Sequence, residues 1–153
     1  MQCLLTLWCF KSVFIFVSTM TITEDIYEML YVSTLAPTAQ VSAISVIATR
    51  SRVSNALRCI TGMLIFDGIR FCQYLEGSKN DVLNLFERIR DDSRHAAVTL
   101  IHEGPSHTRR FNNFSLAFAN GDDFEVLGRI AELKGENGVT AFSQLLPTLD
   151  THV

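Results

Sequence analysis

The apolar patterns along the chain predict an α+β domain: a βαββαββ sheet with two helices on one face and C-terminal helices on the other. Three observations carry that prediction. The runs ITGMLIF and IRFCQYLE flank Asp67-Gly68, a dipeptide that favours a two-residue hairpin turn. Stretches of helical spacing lie on either side of this hairpin. Two more short β-rich runs then precede a helical tail.

The elements follow in order. Met29 to Ser33 (MLYVS) is rich in β-formers and ends before Pro37, giving strand one. Val41, Ile44, Ile47, Ala48 and Val53 mark a first helix from Thr38 to about Ala56. After the hairpin, Ser78 with Asp81 three residues on resembles a capping box, and Val82, Leu85, Phe86 and Ile89 continue a second helix to near Asp92. Ala97 to His102 reads as a strand, Gly104-Pro105 as a turn, and Phe114 to Phe118 as a last strand before Gly121. Phe124, Val126, Leu127, Ile130 and Leu133 mark one tail helix, and Val139 to Leu146 a second. Two helices separated by an antiparallel hairpin give the ferredoxin-like arrangement, in which right-handed crossovers place both helices on one face. The tail helices are expected on the other.

A chain of 153 residues with 48% hydrophobic content supplies one core and hardly two. The expected organisation is an extension over 1–28, the domain over 29–120 and a helical cap over 121–153. A net charge of −3 with no Lys/Arg run provides no footprint for nucleic acid. Four cysteines without a C-x-x-C pair fit reduced thiols in the cytoplasm. The first eighteen residues are strongly apolar, but Lys11 interrupts them. They match neither a span of about 20 apolar residues nor a secretory signal with a basic start and small-residue cleavage site. A membrane role is therefore not expected.

Known catalytic patterns are missing. His102 and His107 are five apart with Gly104 and Pro105 between them, so they cannot present two ligands on one helical face, and no metal site is expected. No phosphate-binding glycine loop and no G-x-S-x-G elbow occur. The informative position is Gln73, which alternation places on the core face with Phe71 and Leu75. An unpaired buried amide costs about 1–3 kcal/mol. Gln73 therefore lies at an edge, bonds backbone, or has a polar partner. Tyr31 has the parity to reach the same layer, and Asn55 ends the first helix near the sheet.

Several ordered motifs then agree: Tyr31-Val32-Ser33; Asn55 before Ile60-Thr61-Gly62; Phe71 to Gly77 (FCQYLEG); Asp92-Ser93-Arg94-His95; and Glu103-Gly104-Pro105 before Arg109-Arg110-Phe111. Across roughly Met29 to Ala119 the chain resembles the BLUF domains, the flavin-binding blue-light sensors. The resemblance implies a flavin, usually FAD with FMN as the alternative, standing between the two helices. It implies that Asn55 bonds the ring's C4 carbonyl and N3 edge, that Arg88 and Asp92 hold the other end of the pyrimidine portion, and that Arg94 and His95 lie near the ribityl phosphate. Tyr31 and Gln73 would be the photoactive pair: light draws an electron and proton from Tyr31 through the Gln73 amide. The amide returns rearranged, with a new hydrogen bond to the flavin that reddens its absorption. On the residues alone, Arg88 and Asp92 could instead be an i, i+4 surface pair, and His95 a helix cap.

The chain departs from the family in its output strand, where Phe114-Ser115-Leu116 replaces the common Trp-x-Met. The function implied is a photoreceptor, not an enzyme, acting on a downstream signalling protein or on a second copy of itself. The rival readings are a light-independent interaction module and a small flavoenzyme. Because the N-terminal extension contributes none of these residues, deleting Met1 to Thr19 should leave the flavin content and photocycle unchanged. A colourless or insoluble truncated protein would show that the segment completes the core.

Overall fold

The structure is a computed structural model that describes residues 25–119 and 123–152. The apolar start of the chain and Gly121, expected to follow the last strand, lie outside the described residues. The elements are β1 (Ile26–Leu35), α1 (Ala43–Ala56), β2 (Thr61–Phe66), β3 (Arg70–Gly77), α2 (Lys79–Arg90), β4 (His95–Ser106), β5 (Phe114–Phe118), α3 (Asp123–Glu132), α4 (Glu136–Leu145), a 3-10 turn at Leu146–Thr148 and β6 (Asp150–His152). The sheet order is β4-β1-β3-β2-β5-β6. β1 runs antiparallel to both β3 and β4, and β5 lies parallel to β2. This is the expected ferredoxin-like α+β sheet, extended at one edge by β5 and β6.

Period-two alternation divides the strands between two cores. Met29, Tyr31, Leu64, Phe71 and Leu75 pack with Ile44 and Ala48 of α1 and with Val82 and Phe86 of α2. Leu30, Val32, Ile65, Cys72 and Tyr74 pack with Leu127 and Ile130 of α3 and with Val139 and Phe142 of α4. The tail helices therefore cover the sheet face opposite the first pair, as the sequence predicts. Gly138 permits the closest part of that packing, since a Cβ there would stand 2.3 Å from Ile101 Cγ2. Ser78 caps α2, its Oγ accepting from the Asp81 N–H at 3.2 Å. Among the described residues no helix is long and apolar enough to cross a membrane.

Four local expectations are corrected. Strand β1 begins at Ile26, not Met29, so Ile26 to Glu28 belong to the sheet and the domain starts before residue 29; Glu28 is buried and accepts a hydrogen bond from the Tyr74 hydroxyl at 2.5 Å. Helix α1 begins at Ala43, because a turn after Pro37 closes with Ala39 N–H on the Ala36 carbonyl at 2.8 Å. The hairpin slips by one residue. Asp67 Oδ1 accepts from the Ile69 and Arg70 N–H groups at 2.9 and 2.5 Å, so Gly68 (φ 95°) and Ile69 form the two-residue loop. Gly104-Pro105 is not a turn but part of β4, and this strand lies at the sheet edge, where a missing N–H is tolerated.

Gly62 in β2 has φ 150°, and a Cβ there would lie 2.0 Å from the Tyr74 carbonyl oxygen of the neighbouring strand. Backbone has no rotamer by which to move aside. Gly62→Ala should cost about 2–3 kcal/mol and lower the thermal midpoint by roughly 5–10 °C, as calorimetry would measure. An unchanged midpoint would mean that β2 can shift in the sheet.

Candidate functional site

One cross-strand row organises the site. Tyr31 on β1 is in register with Gln73 on β3, Gln73 with Leu64 on β2, and Leu64 with Leu116 on β5. All four side chains face α1 and α2. The Tyr31 hydroxyl donates a short hydrogen bond to Gln73 Oε1, and both residues are buried. Of the alternatives open for Gln73, the structure selects the polar partner. Burial, reinforced by the negative charge of Asp92, raises the Tyr31 pKa, so the phenol keeps its proton at any ordinary pH. Phe86 of α2 packs on its ring at 5.3 Å between centroids. On the other side of Tyr31 the β1–β4 register shifts between Leu30 and Tyr31, a bulge of the kind that re-aims side chains beside sites.

Above this row, α1 and α2 enclose a cleft of about 280 Å³. Its apolar lining comes from Ile47, Leu64, Leu85 and Ile89, its polar floor from Asn55 and Gln73, and one end from Asp92, Arg94 and His95. Arg50 and Arg88, on opposite helices, stand at its margin. Of the residues the sequence singled out, Asn55, Gln73, Arg88, Asp92, Arg94 and His95 line the cleft, and Tyr31 lies behind Gln73. Asn55 is the telling side chain. It is 1% exposed, yet its Nδ2 has no hydrogen-bond partner among the described residues. Buried donors are almost always paired, so this one could donate to a ligand in the cleft.

The polar end is organised differently from expectation. Asp92 lies beyond α2, so it is no helical i, i+4 partner of Arg88; it pairs instead with Arg94, whose Nε donates at 2.9 Å to Oδ1. That hydrogen bond holds the Asp92 carboxyl at a pKa of about 2, against about 3.9 for a free aspartate. The pair's contribution to stability is thus complete above pH 4 or so and is lost only as pH falls toward 2. His95 opens β4 and caps no helix; its Nδ1 lies 2.9 Å from Ser33 Oγ, and burial lowers its pKa. Its ring packs on Phe71 at 4.7 Å.

Phe114 and Leu116 are buried in the same core as Tyr31. Leu64 separates Leu116 from Gln73, which puts their strands about 10 Å apart. Sequence reasoning missed Ser33, Leu64 and the α1 residues Ile47, Ser51 and Ser54. Stepping back by four from Asn55 reaches Ser51 and Ile47, so helical periodicity held that signal.

A family model described as BLUF, sensors of blue-light using FAD, matches residues 26–117. Over 68 residues the chain is 47% identical to photoactivated adenylate cyclase subunit beta of Euglena gracilis, covering 44% of this chain and 8% of that protein. The corresponding subunit of Euglena longa is 41% identical over 70 residues, covering 46% and 8%. The chain thus spans only a small part of these curated relatives. Among solved structures, BlrP1 of Klebsiella pneumoniae with FMN and cyclic diGMP is similar at a TM-score of 0.60 and 27% identity, over 68% of this chain and 29% of that one. The BLUF protein BlrB in its dark state matches in fold at a TM-score of 0.67 and 24% identity, over 81% of this chain and 96% of that one.

Because the Asn55 amide nitrogen bonds nothing within the described residues, Asn55→Ala should cost the ligand-free protein under about 1 kcal/mol while clearly lowering the flavin to protein ratio after purification. Equal ratios in wild type and variant would remove Asn55 from the site.

Proposed function

The chain belongs to the BLUF family, the sensors of blue light using FAD, and from that premise we propose that Tyr31 and Gln73 form its light-driven switch, read out by a partner protein. The observation that carries this is the buried Tyr31–Gln73 hydrogen bond at the floor of the two-helix cleft.

The cleft suits a flavin. The apolar walls fit a planar ring, the unpartnered Asn55 Nδ2 and the Gln73 amide fit its polar edge, Arg88 and Asp92 fit the other end of its pyrimidine portion, and Arg50 and Arg94 fit a phosphate-bearing tail. When bound, the flavin supplies blue-light absorption and, once excited, a strong oxidant. The chain supplies the rest. Tyr31 Oη holds its proton against Gln73 Oε1, along which the proton can pass and return. A phenol hydroxyl can donate to an amide oxygen or accept from an amide nitrogen. The same two side chains therefore satisfy each other in two arrangements, which present opposite ends of the amide to the cleft. Burial protects both arrangements from competing water.

Several features support the wider reading. A ring filling the cleft would be walled by the two packed helices, which favours a sensor over an enzyme. The change would leave through β5, where Phe114 and Leu116 share the Tyr31 core, or through the helical cap after it, and reach a downstream signalling protein or a second copy. Free Cys59 and Cys72 accord with the cytoplasm.

The test is the absorption spectrum of flavin-loaded protein before and after blue light. Wild type should show a reversible red shift, and Tyr31→Phe and Gln73→Leu should keep fold and flavin but lose it. A normal photocycle in either variant overturns the mechanism.

A further inference from the structure

On the sheet face opposite the cleft, β1, β4 and α4 bring together three ligand-type side chains that are far apart in sequence. His102 Nε2 stands 3.1 Å from Glu28 Oε1 and 3.7 Å from Glu136 Oε1, and the three atoms lie within 4.8 Å of one another. A nitrogen lone pair aimed at two carboxylate oxygens would be repelled by both, so a proton or a cation belongs between them. The spacing suits a cation as well as a proton. Ligand atoms around a tetrahedral zinc at 2.0–2.2 Å stand about 3.4 Å apart, and the two measured separations straddle that value.

The surroundings are those of a built site. Glu28 is 5% exposed and held rigidly: its other oxygen, Oε2, accepts from the Tyr74 hydroxyl at 2.5 Å, with Arg110 Nε 3.9 Å away. Such outer hydrogen bonds orient ligating carboxylates. Arg110 approaches the oxygen turned away from His102, and one guanidinium leaves the two carboxylates with net negative charge. Glu136 has a 78% exposed side chain, so an ion and a completing water can reach the site from solvent. Residue spacing carries no hint of this cluster, because the near neighbour of His102 in sequence is His107, whereas the fold pairs His102 with Glu28 and Glu136.

We propose that Glu28, His102 and Glu136 form a three-ligand site for a divalent transition metal ion of the zinc class, tying the first turn of α4 to the sheet. One imidazole and two carboxylates suit zinc, manganese or ferrous iron. Zinc chloride added to the flavin-loaded full-length protein in a calorimeter, with the metal alone as probe, is the direct test. One zinc per chain should bind at micromolar affinity or better. Glu136→Gln and His102→Asn should each weaken binding at least about tenfold, and His107→Asn should not. Because Glu136 is exposed, its variant decides the matter even if His102→Asn does not fold. Absence of saturable binding would mean that a proton alone bridges the groups and overturns the proposal. Wild-type affinity in Glu136→Gln would place the ion elsewhere and overturn it equally.

Discussion

The buried hydrogen bond between Tyr31 and Gln73 is the constraint on which the rest of the structure turns. A phenol and a primary amide in a dry core must satisfy each other or lose about 1–3 kcal/mol per unmet group. The sheet makes that possible by placing β1 and β3 side by side at its centre, with the two residues in direct register. Helices α1 and α2 then close over the pair, Phe86 against the Tyr31 ring and Asn55 beside Gln73, and the cleft between them is what remains. A phenol and an amide can satisfy each other in two arrangements, which is what the proposed switch requires.

Gln73 and Tyr74 show how such a switch can be felt across the sheet. Adjacent residues of a strand point to opposite faces. Gln73 faces the cleft, while Tyr74 stacks on Phe142 of α4 at 5.4 Å and bonds Glu28. Any displacement of β3 that follows the amide is therefore applied to the cap through one peptide unit. Burial on both faces of the inner strands packs the sheet tightly between the cleft helices and the cap helices.

Much of this was legible in the sequence. Alternation in β1 and β3 placed Tyr31 and Gln73 on one face, and motif order identified the family. Local signals failed where tertiary context competed with them. Asp67 moved the hairpin loop by one residue because its carboxylate captured two backbone N–H groups. Pro105 stayed in a strand because that strand is an edge. Asp92 chose Arg94 over Arg88 because the helix had already ended. The Glu28–His102–Glu136 cluster depends on long-range pairing that no local pattern encodes.

The most direct test of the central claim is a light-minus-dark infrared difference spectrum of flavin-loaded protein labelled with isotopes in the glutamine side chain. The account predicts an isotope-sensitive amide band that shifts on illumination, reverses in the dark and is absent from Gln73→Leu. A spectrum in which flavin bands change while no glutamine band does would contradict it.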